Sequence, residues 1–201
     1  MRGASDRVLI YAHMGAEETR NKITIITRRR SDNAVLGGRQ QGREVGFKIR
    51  DILLDIAHEG MGDNVEVLLY MAARAQLWKE HIGPDLEAGK CVLMDRWLSS
   101  TCAYQGWAGG FGVEKVIKIG TDSLERIWPD VTIVLDVDAE TAASRMQRAL
   151  DRMEQKGEAY HAKVREGFLK LPDIELSVKV VDARGTVEQV HRDVLKLIQE
   201  L

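Results

Sequence analysis

No apolar run in this 201-residue chain approaches the ~18 residues that a membrane-spanning helix needs. Cysteine is scarce. Two residues, Cys91 and Cys102, are too few for a disulfide framework, and both read as reduced thiols of a cytoplasmic protein. A signal-peptide pattern is lacking at the N-terminus, where the only apolar run, Val8 to Tyr11, is too short for an h-region. A large excess of charge is also missing: the net charge of −2 argues against nucleic acid as the main partner. Neither an internal repeat nor a dividing linker is visible, so the length reads as one α/β-sized domain spanning 1–201.

What is present is ordinary in bulk and uneven in detail. An apolar content of 44% and a charged content of 30% place the chain among soluble globular proteins. Residues 1–50, however, hold eleven Lys/Arg against five Asp/Glu, and residues 51–201 hold 18 against 26. A basic start of this kind fits a phosphate-binding edge, a disordered arm, or a segment foreign to the rest. Residues 1–41 are atypical in other ways. Arg7 to His13 and the β-branched Ile23 to Thr27 both read as strands. The nine residues between them are too few for a right-handed parallel crossover, so they pair as a hairpin or do not both join the main sheet. Arg28, Arg29 and Arg30 follow, then a polar stretch with Gly37, Gly38 and Gly42.

From Gly42 onward the pattern is regular. Helical spacing predicts a helix over Phe47 to Ala57, broken by Gly60 and Gly62. Asp63 and Glu66 form a capping-box signature. The helix they open, about Asn64 to His81, places Val65, Leu68, Leu69, Ala72, Ala75 and Trp78 on its buried side and ends at Gly83 and Pro84. Tyr70 and Arg74, four apart, share a face; read without context they are a partly exposed Tyr and a solvated Arg. Cys91 to Met94 is a short apolar run of the kind that forms a buried parallel strand. Asp95 and Arg96 close it, at the carboxyl end where ligands bind in open α/β sheets. Ser99, Ser100, Thr101, Tyr104 and Gln105 then run on with a helical phase. A helix over Gly112 to Ile127 precedes the strand Val131 to Val137. Asp138 N-caps a helix over Ala139 to Glu154. A helix over Glu158 to Lys170, a strand over Val178 to Ala183 and a helix over Thr186 to Leu201 complete the chain. Strands alternating with helices predict an α/β fold, a parallel sheet covered by helices on both faces.

Seven segments, in this order, resemble one family: GFKIRDILLD, LLYMAARAQ, CVLMDRWLSSTCAYQG, PDVTIVLDV, LDRMEQKG, KVREGFLKL and VVDA. From about Gly42 to the end, roughly four-fifths of the chain, the sequence is similar to bacterial thymidylate kinase, a branch of the P-loop nucleoside monophosphate kinases. The resemblance implies transfer of the γ-phosphoryl group of ATP to dTMP with Mg²⁺, in a cytoplasmic homodimer. It implies that Tyr70 stacks on the thymine, that Arg74 hydrogen-bonds the base edge, and that Thr101 and Gln105 are further base contacts. Tyr104 matches the residue against the deoxyribose. Arg96 and Arg50 match the arginines at the dTMP phosphate, and Asp95 the carboxylate near Mg²⁺ and the reacting phosphates. Trp97 stands where the family has another planar ring, Tyr or His. Arg148 and Arg152 lie in a segment that resembles the family's mobile lid, here short, about 142–158; the plainer reading of either is a solvated helix charge.

The family's Gly-rich phosphate loop, ending in Gly-Lys-Ser/Thr, has no clear counterpart. Met14 to Thr24 holds one glycine and has Asn21 before Lys22. Gly37 to Glu44 has two glycines at the right spacing but Arg43 and Glu44 in place of Lys and Ser/Thr. No residue is assigned to the ATP phosphates on this basis. A second reading therefore stands beside the kinase: a catalytically impaired relative that still binds a thymidine nucleotide. A third is a kinase for another monophosphate or a deoxynucleoside.

Overall fold

The computed structural model describes residues 23–27, 34–37, 45–88, 91–125, 128–144 and 152–200. Five strands form one sheet: β1 (Ile23–Thr27), β2 (Ala34–Gly37), β3 (Cys91–Asp95), β4 (Val131–Asp136) and β5 (Val178–Asp182), in the order β2-β3-β1-β4-β5. Pairs β2/β3 and β4/β5 are parallel, as expected for an α/β fold. The central strand β1 departs from this and runs antiparallel to both neighbours. Chain length accounts for it. Thr27 pairs with Val92 and Ala34 with Cys91, so β1 ends and β2 starts at the same end of β3. The six intervening residues can step over one strand, whereas a parallel β1 would need a return crossover of about a dozen residues. Strand β2 falls in a stretch whose sequence reads as polar; Arg7 to His13 lies outside the described residues.

Alternation along the strands sends side chains to two cores. Val92, Met94, Val134 and Val178 pack with Val67, Met71, Leu98, Val116, Val164 and Phe168 on one face. Leu93, Val131, Ile133 and Val181 pack with Val190, Val194 and Ile198 on the other. The first face is covered by α2 (Asp63–Leu77), α4 (Leu98–Thr101), α5 (Val113–Ser123) and α7 (Glu158–Lys170), the second by α8 (Val187–Gln199). Helix α8 opens on a capping box between Thr186 and Gln189. The expected Asp138 cap of α6 (Ala139–Ser144) is present, with the Thr141 N–H donating to Asp138 Oδ1 at 2.7 Å. Residues 145–151 of that expected helix are outside the described residues, and its expected end is not α-helical: Arg152 and Met153 form a turn and Glu154–Lys156 a 3₁₀ turn.

Four local expectations need correction. Helix α1 (Val45–Leu54) stops before Asp55, whose carboxylate accepts from the Ala57 N–H at 2.8 Å and starts a separate 3₁₀ turn. Gly83 and Pro84 do not end the second helix. A π-helical turn, Trp78–Ile82, carries it into α3 (Gly83–Glu87), with Pro84 in the first turn, where its missing N–H is tolerated. The α2 cap is Gly62, which has no side chain to bond the first N–H groups, so the expected Asp63/Glu66 capping box does not form, and Glu66 is buried. The buried face of α2 is correspondingly rotated: Glu66, Val67 and Met71 are buried, while Val65 and Leu68 are exposed.

Candidate active site

The site is a slot between α2 and the segment that leaves β3. Glu66, Tyr70 and Arg74 are four apart on α2 and form one stripe. The opposing wall is α4 followed by a π-helical segment, Cys102–Ala108. Two hydrogen bonds set the alignment. Arg74 Nη2 donates to the Trp97 carbonyl at 2.8 Å, and Gln105 Nε2 donates to Glu66 Oε1 at 2.7 Å. These rungs are eight residues apart on both walls, so the walls run antiparallel, with Tyr70 and Thr101 at the middle. Helix α7 backs the second wall closely: a Cβ on Gly167 would stand 2.9 Å from Trp107 Cβ and 3.2 Å from Ala103 Cα, so only glycine allows the approach.

Burial leaves this slot with polar atoms that have nothing to bond. Arg74 Nη1, Ser99 Oγ, Ser100 Oγ and Thr101 Oγ1 are buried and find no hydrogen-bond partner among the described residues. An orphaned buried polar atom carries a desolvation penalty of about 1–3 kcal/mol. Such atoms, three on α4 and one on α2, fit a polar ligand or ordered water. The Arg74 guanidinium lies 5.6 Å from the Tyr70 ring centroid and 5.8 Å from that of Trp97. Burial brings its pKa down to about 10, which still leaves a cation at neutral pH. Trp97 is buried, and its ring lies 6.3 Å from that of Trp78. The planar side chain expected at this position thus serves as a wall.

Positive charge gathers at the open end of β3. Arg96 has φ 66°, the one non-glycine left-handed residue among those described. That conformation disfavours an L-residue by about 1–2 kcal/mol and is typical of strained functional positions. It swings the guanidinium over the Tyr104 ring, 5.5 Å from its centroid. Tyr104 first, then Asp95 and Tyr70, raise the Arg96 pKa above the usual arginine range against the effect of burial. Burial, with Glu66 adding to it, pushes the Tyr70 phenol up, while Arg50, Arg96 and Arg74 pull it down. Three guanidiniums thus act on one ring, from α1, from the end of β3 and from α2. Asp95 is exposed at the strand end beside them. Tyr104 is buried against Phe168, and its backbone carbonyl accepts from the Tyr160 hydroxyl at 2.8 Å.

Of the expected site residues, Tyr70, Arg74, Thr101 and Gln105 come together across the slot, and Arg50, Asp95, Arg96 and Tyr104 gather at its charged end. Arg148 lies outside the described residues. Arg152 stands apart from the expected lid geometry. It is buried, its Nε donates to the Leu53 carbonyl at 2.8 Å, and its Nη2 makes a short ion pair with Glu66. Lys156 Nζ lies 3.7 Å from the same carboxylate. Sequence reasoning missed Glu66 and Lys156 as site residues, and placed Ser99 and Ser100 in the hydrogen-bonding run without giving them a role. The signal for Glu66 was its place four residues before Tyr70 on the same stripe. Among the described residues no cluster of three or more His, Cys, Asp or Glu could hold a metal, and no helix is long and apolar enough to cross a membrane.

A five-stranded sheet in this order, covered by helices on both faces, fits the α/β fold of the nucleoside monophosphate kinase class. A solved structure, that of thymidylate kinase from Ehrlichia chaffeensis, shares the fold with a TM-score of 0.66 at 23% identity, covering 84% of this chain and 82% of that one. The family model described as thymidylate kinase matches residues 18–194, further toward the N-terminus than the sequence resemblance from about Gly42. Curated relatives include thymidylate kinases of Thermoanaerobacter sp. (strain X514), 40% identical over 161 residues and 79% of each chain, and of Symbiobacterium thermophilum, 43% identical over 162 residues, 80% of this chain and 76% of the relative. The chain belongs to the thymidylate kinase family.

Proposed function

We propose that the chain is a thymidylate kinase, which transfers the γ-phosphoryl group of ATP to dTMP and releases ADP and dTDP. The observation that carries this reading is the slot itself. It offers a flat face at Tyr70, a buried guanidinium with a free donor at Arg74, orphaned hydroxyls at Ser99, Ser100 and Thr101, and two further arginines, Arg50 and Arg96, acting on the Tyr70 ring. Thymine fits as the ring against Tyr70, with an exocyclic oxygen accepting from Arg74 Nη1. Such a donor disfavours cytosine, whose amino group is itself a donor at that edge. Thr101 and Gln105 complete the base contacts. Tyr104 lies under the deoxyribose, and Arg96 with Arg50 holds the monophosphate.

Phosphoryl transfer asks the protein mainly for positioning and positive charge around the moving group. Arg96, fixed on a strained turn above Tyr104, supplies both at the acceptor side. Asp95 fits Mg²⁺, because this ion is usually held by one or two carboxylates together with substrate phosphate oxygens. A magnesium ion there would neutralise charge on the transferring phosphates. Arg148 and Arg152 are proposed for the lid, about 142–158. Arg152 can reach a phosphate only by leaving Glu66 and the Leu53 carbonyl. The two stretches considered for the ATP phosphates lie almost wholly outside the described residues, and no residue is assigned to them. The chain is proposed as one domain in a cytoplasmic homodimer. The exposed apolar side chains of the packed helices α1 and α2, Val45, Phe47, Ile52, Val65 and Leu68, support the dimer. The test is dTMP-dependent release of ADP from Mg-ATP by the purified chain, with dUMP and dCMP alongside. Release that does not depend on a pyrimidine monophosphate contradicts the proposal.

A further inference from the structure

Glu66 is a buried carboxylate with three partners from different parts of the fold. It is 2% exposed. Its Oε2 pairs with Arg152, its Oε1 accepts from Gln105 Nε2 at 2.7 Å, and Lys156 Nζ lies 3.7 Å away. The bond to Gln105 carries chemical information. A carboxylate only accepts, and a carboxamide has one donating and one accepting end. Glu66 therefore dictates that Gln105 turns its NH₂ toward α2 and its carbonyl oxygen away from it. Gln105 is itself buried, at 4% exposure, so this orientation is not averaged by solvent. Arg152 and Lys156 balance the charge of Glu66 and hold it at the foot of the stripe that leads to Tyr70 and Arg74.

We propose that Glu66 is a specificity-determining positioning residue, fixing the Gln105 carboxamide so that the slot offers an acceptor to the base. The inference rests on the reading that a pyrimidine monophosphate occupies the slot. Thymine and uracil carry a hydrogen on N3 and can donate to such an acceptor. Cytosine N3 is a bare acceptor and faces the Gln105 oxygen with like polarity. Arg74 and Gln105 then read neighbouring atoms of one edge, a donor for the exocyclic oxygen and an acceptor for N3–H. Without Glu66 the carboxamide is free to turn over and offer its NH₂ to cytosine.

The test is equilibrium binding of dTMP, dUMP and dCMP to the full chain by calorimetry, without ATP, so that catalytic activity does not enter. In Glu66→Gln the partner of Gln105 can donate as well as accept. The affinity ratio of dTMP to dCMP should fall by about tenfold or more. The dUMP affinity should move with that of dTMP, because both bases present the same edge. Glu66→Gln combined with Arg152→Met avoids leaving an unpaired guanidinium and should show the same loss of discrimination. A purely structural role would weaken all three nucleotides together and leave the ratio unchanged in both variants, which overturns the proposal. In the unaltered protein the Gln105 side-chain amide protons should exchange slowly with solvent before and after dTMP addition; loss of that protection on binding also overturns it. If the unaltered chain binds no pyrimidine monophosphate, the underlying reading of the slot falls. If it binds dTMP and the variants keep its ratio, the role of Glu66 falls alone.

Discussion

Replacing Arg74 by Met separates ligand recognition from folding, because the two draw on different atoms of the guanidinium. Among the described residues Arg74 makes one hydrogen bond, from Nη2 to the Trp97 carbonyl at 2.8 Å, and lies against two aromatic rings at 5.6 and 5.8 Å. Against these stand the desolvation that lowers its pKa to about 10 and the orphaned Nη1. A charged hydrogen bond contributes about 1.5–3 kcal/mol and an unpaired buried donor costs about 1–3 kcal/mol, so the two nearly cancel. Methionine keeps the apolar stem and gives up both. Stability of the free protein should therefore change by no more than about 1 kcal/mol. Ligand binding has no such offset. Loss of the Nη1 donor removes a charge-assisted bond of about 1.5–3 kcal/mol, or roughly 10- to 150-fold in dTMP affinity. Calorimetric titration with dTMP, beside urea unfolding of both proteins, reads the two quantities. Unchanged dTMP affinity in a folded Arg74→Met protein would refute the assignment of Arg74 to the base. Loss of affinity only in proportion to unfolding would refute the separation.

Other perturbations read other parts of the account. Arg96→Gly relieves the left-handed strain, about 1–2 kcal/mol, against an entropic cost of about 0.5–1 kcal/mol for glycine. Its thermal stability should hold or rise slightly while dTMP affinity falls at least tenfold; thymidine, which has no phosphate, should bind as before, and equal losses for both would contradict the phosphate role. Arg152→Met leaves Glu66 buried beside Lys156 alone and should destabilise by about 3–5 kcal/mol, read as a lower urea midpoint. Addition of Glu66→Gln should recover most of that loss, and no recovery would contradict the pairing. Burial pushes the Cys102 thiol up to about 12 from 9.0. The native state thus holds the proton more tightly than the unfolded chain between these values, and stability linked to Cys102 is full below about pH 9 and lost as pH rises toward about 12. The stability gap between the unaltered protein and Cys102→Ala should narrow across pH 9–11 in urea titrations; parallel curves would contradict it. Leu68→Glu, on the exposed face of α2, should convert a dimer to a monomer by sedimentation without lowering dTMP affinity.

Much of the fold was legible because its strands are short apolar runs with helical periods between them. Val131 to Val137 and Cys91 to Met94 are near-continuous apolar runs, Val178 to Ala183 is a shorter apolar strand, and the helix over Glu158 to Lys170 has the predicted bounds. The errors share a cause: tertiary partners overrode local patterns. Asp63 and Glu66 have capping-box spacing, but Arg152, 86 residues away in sequence, draws Glu66 inward. The apolar stripe of Val65 and Leu68 looks like a core face, but α2 instead buries the stripe that carries Glu66 and points Tyr70 and Arg74 into the slot. Pro84 reads as a terminator, but a π-helical turn places it where no donor is needed. The direction of β1 depends on the distance that six residues can span, and nothing in Ile23 to Thr27 itself records that. In the site, spacing placed Tyr70 and Arg74 on one face of a helix, and it was the family resemblance that named them, with Thr101 and Gln105, as base contacts. Sequence could not show that Arg74 keeps a donor unpaired, that Arg96 is left-handed, or that Arg152 is engaged with Glu66. Each of these depends on side chains brought together from distant segments.

The most direct test of the kinase assignment is phosphoryl transfer itself. The purified chain is incubated with Mg²⁺, γ-labelled ATP and dTMP, and the nucleotides are separated by chromatography. The account predicts label in dTDP, with ADP formed in equal amount and much less transfer to dCMP. Binding of dTMP with no label reaching dTDP would contradict it.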